Sequence, residues 1–461
     1  MPMTRNQCDI AVVGAGFSGL VAANILADRG LRVVLLDENL HIGGQLLRFP
    51  PWGGVPSKAD RLRRFGFGLI DRVKRKPIEV FERTKVLDIV EQRHLLIERQ
   101  ESEIVIVEPH MLLLATGARE RFLPFKGWTL PGVISTGAAQ ILMKSSGILP
   151  SREMLIAGMG PLLLAVAGEF LRQGGTLLSV LDLGGARDKF LLLTQTLHHL
   201  SKLTEGGFDL ARVFLAGVPL CLRTAVVEAR GGTELGAVVA AKIRKDGTVR
   251  EGTERIYRTE SLAVGHGFTP NLELARLAGC TIDHDGAGGG WVVRVNDDME
   301  TSVDRVFAAG EITGIAGALK SVCEGELAAY GMLRKIGKEI ESKRMTRLIR
   351  ERVRHLRFGK YFNALHRFPS QAVLSIPDEV TICRCEDVTM GDIKRAVVEG
   401  YDTPAALKRA LRIGMGNCQG RTCAPLVYDI LSVLKKKPVE CLPVLSVRSP
   451  VKPVAMRSLL R

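Results

Sequence analysis

Short apolar runs and longer amphipathic stretches alternate along the chain. The run Ile10 to Val13 is followed by glycines and then by a helical pattern from about Gly19 to Arg29, which Gly30 ends. The stretch Leu31 to Leu36, apolar except for Arg32, is typical of a buried strand. The order of strand, glycine turn, helix and strand recurs from Met154 to Asp182. This repetition predicts two nucleotide-binding βαβ units in an α/β protein.

Chain length and the lengths of the apolar runs indicate which class of protein this is. The 461 residues are enough for about two to four domains. No apolar run reaches the roughly 18 residues of a membrane-spanning helix, and the polar start of the chain is unlike a signal peptide, so we expect a cytoplasmic protein.

The net charge of +15 has its densest contribution from Lys335 to Lys360, where Phe358 is the one aromatic residue. This composition argues against nucleic-acid binding. Two alternatives stay open for the basic stretch. It is either a solvated helical connector, or a docking surface for an acidic partner or for the inner face of the cell membrane in peripheral association.

The first glycine turn has the residues of a dinucleotide-binding loop. Gly14 permits the tight turn, Gly16 lets the backbone approach a pyrophosphate, and Gly19 lets the helix pack closely on the strand. Asp37, at the end of the second strand, can accept hydrogen bonds from ribose hydroxyls, and Glu38 takes this place if the strand ends one residue later. These residues alone allow either FAD or NAD.

Further segments favour FAD. Leu112 to Ala118 and Val306 to Thr313 resemble the second and third FAD motifs of flavoproteins with two dinucleotide-binding domains, in which aspartate is more frequent than glutamate at the position of Glu311. The segment from Glu38 to Gly68 contains no cysteine and Cys221 stands alone, so dithiol chemistry beside the flavin is not expected. The resemblance implies FAD contacts by Thr116, Gly117, Gly310 and Glu311, and by Gly43, Gly44 and Gln45 in a loop similar to that of thioredoxin-reductase-like members.

The second glycine turn is a weaker match. Gly158 and Gly160 follow a strand, but Leu163 stands where a third glycine would allow close helix packing. Asp182 ends the next strand and could hold an adenosine ribose. Binding of NAD(H), binding of a non-redox adenine nucleotide and an unoccupied structural unit all stay open.

Four of the nine cysteines lie close together near the end of the chain, as Cys383 with Cys385 and Cys418 with Cys423. Four thiolates suit a 2Fe-2S cluster or zinc. Structural zinc sites more often have cysteines separated by two to four residues, so the cluster is favoured over zinc and over unliganded thiols.

Other residues of this region support the cluster. Gly414, Gly416 and Gly420 crowd the second cysteine pair and leave backbone N–H groups free to approach cluster sulfurs. Between the pairs we expect a short helix that begins near a capping Thr389.

Longer stretches resemble one family. Ala115 to Arg121, Pro124 to Val133 and Gly158 to Ala167 are similar to the FAD and iron-sulfur subunit of multi-subunit, dye-linked amino-acid, opine and hydroxyproline dehydrogenases, a family that includes the B subunit of hydrogen cyanide synthase. Cys383 to Thr389 and Gly414 to Gly420 resemble the 2Fe-2S domain of the bacterioferritin-associated-ferredoxin type. The likeness covers nearly the whole chain.

The resemblance implies that the chain is one subunit of a larger enzyme. A partner flavoprotein similar to D-amino-acid oxidase would oxidise an amino acid, opine or related secondary amine, and a small ferredoxin-like subunit would be a further partner. This chain would pass electrons between FAD and the cluster, because a flavin takes up two electrons and a 2Fe-2S cluster passes one at a time. The alternatives are a self-sufficient NAD(P)H-dependent reductase and a non-redox scaffold subunit. No catalytic residue is assigned.

The predicted fold has two Rossmann-like domains of the glutathione- and thioredoxin-reductase-like flavoprotein type and a small helical 2Fe-2S domain. The tail is rich in proline and basic residues and either wraps a partner or is a disordered terminus. We expect a discontinuous FAD-binding domain (1–125 and 261–337), an inserted nucleotide-binding domain (126–260), a basic helical connector (338–377), the 2Fe-2S domain (378–430) and an extended tail (431–461).

Overall fold

Two separate β-sheets form around the two predicted βαβ units. The computed structural model describes residues 4–48, 61–185, 209–364 and 368–459, so parts of every predicted domain except the 2Fe-2S domain lie outside the described residues. The first sheet contains β1 (Thr4–Val13), β2 (Val33–Leu36), β3 (Ile78–Phe81), β4 (Thr84–Val90), β5 (His94–Arg99), β6 (Glu103–Leu114) and β19 (Val306–Ala308). Its order is β3-β2-β1-β6-β5-β4, with β19 paired to β6.

The apolar runs of the first unit are buried because parallel strands are covered on both faces. All four residues of β2 and the last four of β1 are buried. The helix Phe17–Asp28 covers one face of the sheet and packs against the helix Ala318–Lys335, with Leu20 and Leu327 in one shared core. Because β19 lies beside β6, the second and third segments that resemble FAD motifs meet at the same end of this sheet as the first glycine turn.

The second sheet forms around the second glycine turn. Its strands are β8 (Val133–Ser135), β9 (Glu153–Gly158), β10 (Thr176–Asp182), β11 (Leu220–Leu222) and β15 (Leu262–Gly265), in the order β11-β10-β9-β15-β8. The sequence prediction placed residues from 261 onward in the first domain, whereas β15 pairs in parallel with β9 and β8 of the second sheet. A run of four buried apolar residues predicts a strand, but it does not indicate which sheet that strand joins.

Shorter strands and the helices complete the fold. A three-stranded sheet contains β12 (Thr224–Gly231), β13 (Leu235–Lys242) and β14 (Arg255–Arg258). Two-stranded sheets pair β7 (Ala118–Glu120) with β16 (Phe268–Pro270), β17 (Ile282–Asp285) with β18 (Gly290–Val293), and β20 (Thr381–Cys383) with β21 (Val388–Thr389). The remaining α-helices are Arg61–Arg75, Thr136–Ser146, Leu162–Arg172, Glu273–Leu277, Ser342–Ala364, Ser370–Leu374, Met390–Val398, Pro404–Leu411, Ala424–Lys435 and Met456–Leu459. No helix within the described ranges is long and apolar enough to cross a bilayer.

The predicted basic connector contains a long helix that packs on the first unit. Met345 and Leu348 of the helix Ser342–Ala364 are buried in the core of the first sheet. Near the other end of the helix, Asn363 Nδ2 donates to Ala287 O at 2.7 Å and to Ile315 O at 2.8 Å. One face of the basic helix is therefore fixed to the protein, whereas Arg350, Arg354 and Arg357 are exposed on its outer face.

The cysteine-bearing region shares a hydrophobic core with the second sheet. Leu155 and Leu181 of that sheet belong to the same buried cluster as Ile382, Met390 and Leu431. The predicted helix between the cysteine pairs is present as Met390–Val398. Its start has a capping box, in which the Thr389 hydroxyl and the Asp392 carboxylate each bond the backbone N–H of the other residue.

The predicted extended tail (431–461) begins within the helix Ala424–Lys435, which continues to Lys435. It has no regular strand or helix between the 3₁₀ turn Val439–Cys441 and the short helix Met456–Leu459. It returns to the first unit, where Val451 is buried and its N–H donates to Leu87 O of β4 at 2.9 Å. The segment proposed to wrap a partner thus packs on the FAD-type unit of its own chain.

Candidate functional site

The three glycines of the first turn differ in the space that is available for a side chain. A Cβ added at Gly14, where φ is +104°, would overlap the Ala115 carbonyl oxygen, and one added at Gly19 would overlap the Gly14 carbonyl oxygen. A Cβ at Gly16 would meet no atom of the described residues within 4 Å. The chain itself therefore requires Gly14 and Gly19 to be glycine, whereas Gly16 borders open space of the kind that a pyrophosphate needs.

Asp37 lies against this turn and Glu38 does not. Asp37 is buried, its Oδ2 accepts from Ala15 N at 2.8 Å, and its Oδ1 accepts from Asn39 N at 2.8 Å. The Glu38 side chain is half exposed and pairs with Lys452 of the tail. The strand ends at Leu36, so Asp37 occupies the position expected of the ribose acid.

The loop with Gly43, Gly44 and Gln45 contacts the same turn. The Gly43 N–H donates to Ala15 O at 2.9 Å, and a Cβ added at Gly44 would lie 2.9 Å from Gly16 Cα. Gln45 is exposed, and its Oε1 accepts from the guanidinium of Arg48 at 3.0 Å. The structure thus brings the two glycines to the site and leaves Gln45 at its outer edge.

The second segment is held by Asn271, which sequence analysis did not single out. The Thr116 hydroxyl donates to Asn271 O at 2.7 Å, and Asn271 Nδ2 donates to Thr116 O at 2.8 Å. The Asn271 N–H also donates to Gly117 O at 3.0 Å. Three hydrogen bonds to one residue fix the backbone of Thr116 and Gly117, and no local pattern in the sequence predicts this distant pairing.

The third segment rests on a buried charged network. Lys320 and Glu324 are both fully buried, with the Lys320 ammonium 2.7 Å from Glu324 Oε2. The ammonium also donates to Gly310 O at 2.6 Å, and Glu324 Oε2 accepts from Gly310 N at 2.9 Å. Arg352 of the basic helix donates to Glu324 Oε1 at 2.8 Å. The N–H and the carbonyl of Gly310 are therefore both hydrogen-bonded to buried side chains.

Burial and pairing shift the pKa values in this network in opposite directions. Burial lowers the pKa of Lys320, an effect that the neighbouring Glu324 and Glu311 carboxylates oppose. Burial alone would raise the pKa of Glu324, but Lys320 and Arg352 outweigh it and the pKa lies below its usual value. Removing one partner would leave a buried charge without compensation, which is why such pairs are costly to break.

Glu311 is directed toward a helix start. Its Oε1 accepts from Gly317 N at 2.8 Å, immediately before the helix Ala318–Lys335, and burial raises the pKa of its carboxyl group. A carboxylate at a helix N-terminus is favourably placed relative to the helix dipole. The additional methylene of glutamate relative to aspartate lets the side chain reach this turn.

The four predicted cysteine ligands lie together, grouped two by two. Cys383 is hydrogen-bonded to Cys423, and Cys385 to Cys418. Among the described residues, no three His, Cys, Asp or Glu side chains gather closely enough to hold a single metal ion. A tetrahedral zinc ion needs its four ligands around one point, whereas the two irons of a 2Fe-2S cluster each need two. Two pairs of thiolates can supply the two cysteines that each iron of a 2Fe-2S cluster needs.

Backbone donors surround the sulfurs, as the glycines predict. The hydrogen bond with Cys423, together with the N–H groups of Gly414 and Glu386, lowers the pKa of Cys383 from 9.0 to about 5. Burial acts to raise the pKa of Cys418, but hydrogen bonds that include the N–H groups of Thr422 and Gly420 outweigh it. These donors stabilise the thiolate form that binds iron.

Arg119 connects the second FAD-type segment to the cysteine loop. It follows Gly117 by two residues, and its Nε donates to Arg421 O, between Cys418 and Cys423, at 3.0 Å. Its Nη1 lies 2.7 Å from Glu273 Oε1 and 2.7 Å from Asn271 Oδ1. Burial lowers the pKa of Arg119, and the Glu273 carboxylate opposes this shift.

Two more residues of the stretch that resembles the dehydrogenase family contact the cysteine-bearing region. Arg121 forms an ion pair with Asp429 and stacks over the ring of Phe368, with 4.4 Å from guanidinium carbon to ring centroid. Trp128 Nε1 donates to Thr381 O at 2.8 Å, next to Cys383. The sequence identifies these stretches only by their resemblance to the family. Their contacts show that they form the joint between the two candidate cofactor sites.

A cavity of about 630 Å³ adjoins this joint. Its lining includes Arg119 and Glu273 from the first unit, Trp291 and Tyr428, and Gly420 of the cysteine loop. The cavity is therefore lined by residues close in sequence to both candidate sites, since Gly420 follows Cys418 by two residues and Arg119 follows Gly117 by two.

The second glycine turn borders a separate cavity of about 530 Å³. Gly158 has φ of +136° and crosses close to Gly265, Gly160 also has positive φ, and Leu163 is buried in the core. Asp182 is buried and its Oδ1 accepts from Gly184 N at 2.8 Å. The cavity is lined by Met159 and Gly184 together with the cations Arg223, Arg244 and Lys245.

One solved structure and two curated relatives are similar to this chain over most of its length. L-proline dehydrogenase from P. horikoshii has a similar fold, with a TM-score of 0.73 and 18% identity, over 100% of this chain and 81% of that chain. The A subunit of opine oxidase from Rhizobium meliloti (strain 1021) is 30% identical over 97% of this chain and 97% of its own. Hydrogen cyanide synthase subunit HcnB of Pseudomonas aeruginosa is 34% identical over 91% of this chain and 92% of its own.

We expect Gly16→Val to fold but to lower FAD occupancy by about tenfold or more, because the new side chain would enter the open space beside the turn. Flavin absorbance per protein and the thermal unfolding midpoint measure the two properties. Gly236→Val is the matched control, since a Cβ at this strand position meets Arg230 O at an ordinary 3.8 Å. A Gly16→Val protein that stays fully yellow contradicts the assignment of the turn to FAD.

We expect Cys418→Ser to lose iron and acid-labile sulfide while FAD stays nearly stoichiometric, because the cysteines and the glycine turn belong to different parts of the chain. Iron, sulfide and flavin analyses of one preparation test this. Cys441→Ser, at an exposed cysteine, should change none of the three. Simultaneous loss of flavin and iron from Cys418→Ser would show that the two sites are not independent.

Family models match both parts of the chain. Residues 8–329 match the pyridine nucleotide-disulphide oxidoreductase family, and residues 381–432 match the BFD-like 2Fe-2S binding domain. The predicted fold class and the predicted cofactors, FAD and a 2Fe-2S cluster, are confirmed by these matches. The chain belongs to the pyridine nucleotide-disulphide oxidoreductase family, as a flavin-dependent oxidoreductase with a C-terminal 2Fe-2S domain.

Proposed function

We propose that this chain is the electron-transfer subunit of a multi-subunit dehydrogenase or oxidase that acts on an amino acid, opine or related secondary amine. The contact of Arg119 with the carbonyl of Arg421 carries the proposal, because one partly buried side chain links a FAD-type segment to the cysteine loop. FAD supplies two-electron acceptance and one-electron release, and the 2Fe-2S cluster supplies one-electron transfer.

The chain's own residues bind and orient the two cofactors in this proposal. Gly14, Gly16 and Asp37 form the cradle for the pyrophosphate and adenosine ribose, with Gly19 fixing the helix behind them. The remaining flavin contacts come from Gly43, Gly44, Thr116, Gly117, Gly310 and Glu311. The cluster ligands are Cys383, Cys385, Cys418 and Cys423.

A partner subunit supplies the substrate chemistry in this proposal. The two relatives described above are named as subunits, one of an opine oxidase and one of a hydrogen cyanide synthase, which supports a hetero-oligomer. We assign amine oxidation to a flavoprotein subunit similar to D-amino-acid oxidase. A small ferredoxin-like subunit is the corresponding candidate for carrying electrons away.

The outer face of the basic helix is the proposed place for such a partner. Arg350, Arg354 and Arg357 recur at spacings of four and three residues on this face and are exposed. The apolar side of the helix, with Met345 and Leu348, is buried against the first sheet and is not free to insert into a bilayer. These features favour an acidic protein surface over a membrane surface.

The cavity at the second glycine turn supports a second candidate function, an NAD(P)H-dependent reductase. Arg223, Arg244 and Lys245 could attract the phosphates of a nucleotide there. Gly158, Gly160 and Asp182 lie at the same end of the second sheet. Direct reduction by a nicotinamide nucleotide separates this function from the first.

We expect NADH, mixed anaerobically with the isolated chain, to leave the flavin absorbance unchanged. The complex co-purified from the native host should instead bleach with its substrate, found by screening amino acids, opines and glycine with an artificial dye. Rapid bleaching of the isolated chain by NADH would favour the reductase. A complex that reduces the dye without any change in this chain's flavin or cluster spectra would contradict electron transfer through it.

We expect Arg119→Ala to slow electron transfer from FAD to the cluster by about tenfold or more, because the joint between the two sites loses the hydrogen bonds of this side chain. The measurement is photoreduction of the flavin followed by the electron paramagnetic resonance signal of the reduced cluster. Flavin and iron contents should stay unchanged.

Arg172→Ala is the control for this prediction, because Arg172 is exposed and pairs with Glu169 on the same helix. Equal transfer rates in Arg119→Ala and Arg172→Ala would contradict a role for the Arg119 joint. Loss of iron from Arg119→Ala would instead assign Arg119 to assembly of the cysteine loop.

A further inference from the structure

The tail beyond the 2Fe-2S domain is attached to the FAD-type unit on both sides of one lysine. Before Lys452, the Val451 N–H donates to Leu87 O at 2.9 Å, and the Val451 carbonyl accepts from Arg421 Nη2 at 2.7 Å. After Lys452, Glu98 Oε1 accepts from Ala455 N at 2.7 Å. These bonds fix the backbone of the tail along β4 and β5.

Glu98 is a strong anchor for this attachment. It is 1% exposed, accepts a further hydrogen bond from the Ser458 hydroxyl at 2.8 Å, and pairs with Lys85 at 3.0 Å. Burial acts to raise the pKa of Glu98, but the bonds from Ala455, Lys85 and Ser458 outweigh it, so the pKa is lowered and the carboxylate stays charged near neutral pH. The tail therefore has a defined position rather than a fraying end.

Lys452 is thereby placed at the end of β2. Its ammonium pairs with Glu38. Burial lowers the pKa of Lys452, and the charge of Asp37, the residue before Glu38, opposes this shift. The Lys452 side chain is largely buried, with 28% exposed. In the first βαβ unit of dinucleotide-binding folds, the acid at this strand end receives the adenosine ribose.

We propose that Lys452 is part of the FAD site and that the tail holds the adenosine end of the cofactor in place. Pairing with Lys452 keeps Glu38 in position beside the ribose acid and offsets the repulsion between two adjacent carboxylates. Because Val451 and Ala455 are both attached to the first unit, Lys452 is held beside the strand end where the ribose is expected. This inference concerns FAD retention, and it does not depend on the partner or substrate of the enzyme.

The test compares FAD release from the full-length wild type, Lys452→Met and Lys394→Met. Methionine keeps most of the length of the side chain and removes the charge. Lys394 is the matched control, because its side chain is 32% exposed and it also pairs with one carboxylate, Asp378 at 2.6 Å. Release is followed by the rise of flavin fluorescence after dilution, and iron content and the unfolding midpoints of the apoproteins are measured in parallel.

We expect Lys452→Met to release FAD about tenfold faster than wild type, with iron content unchanged, and Lys394→Met to release it at the wild-type rate. The apoprotein midpoints should be similar, so that the change lies in cofactor retention. Equal release from all three proteins would overturn the proposal and leave the tail with a purely structural role. Slower release from Lys452→Met would also overturn it, since the lysine would then be competing with the cofactor.

Discussion

The partly buried guanidinium of Arg119 is the contact that joins the two cofactor regions of this protein. A partly desolvated cation is stabilised when its donors are satisfied, and Arg119 satisfies them with Glu273, Asn271 and the carbonyl of Arg421. Two of these partners belong to the first unit and the third to the cysteine loop. The same side chain therefore contacts both cofactor regions and helps to fix their relative position.

The domain that carries the cysteines is less separate than its position in the chain indicates. It shares a buried core with the second sheet, and the carbonyl of Thr381 accepts a hydrogen bond from Trp128. The tail that follows it bonds to β4 at the edge of the first sheet. The second nucleotide-binding unit thus has a structural use whether or not it binds a nucleotide. Its buried apolar residues form part of the core of the 2Fe-2S domain.

Local patterns in the sequence were sufficient for much of the fold and site. The glycine turn, Asp37, the capping box at Thr389 and the four cysteines are each defined by neighbours within a few residues, so their positions could be predicted. Pairings between distant segments could not. Nothing in the four residues of β15 specifies the second sheet, and Lys320 resembles an ordinary surface lysine until the fold encloses it. Asn271 and Lys452 act on segments far away in the chain, which composition and spacing do not reveal.

The network below Gly310 has a consequence for how the protein is assembled. Lys320 and Glu324 hold the N–H and carbonyl of Gly310, and Arg352 ties this pair to the basic helix. These bonds form within the polypeptide and involve no cofactor atom, so the loop acquires its shape when the chain folds. Flavin binding then needs no rearrangement of this loop, because side chains of the same chain already hold its backbone.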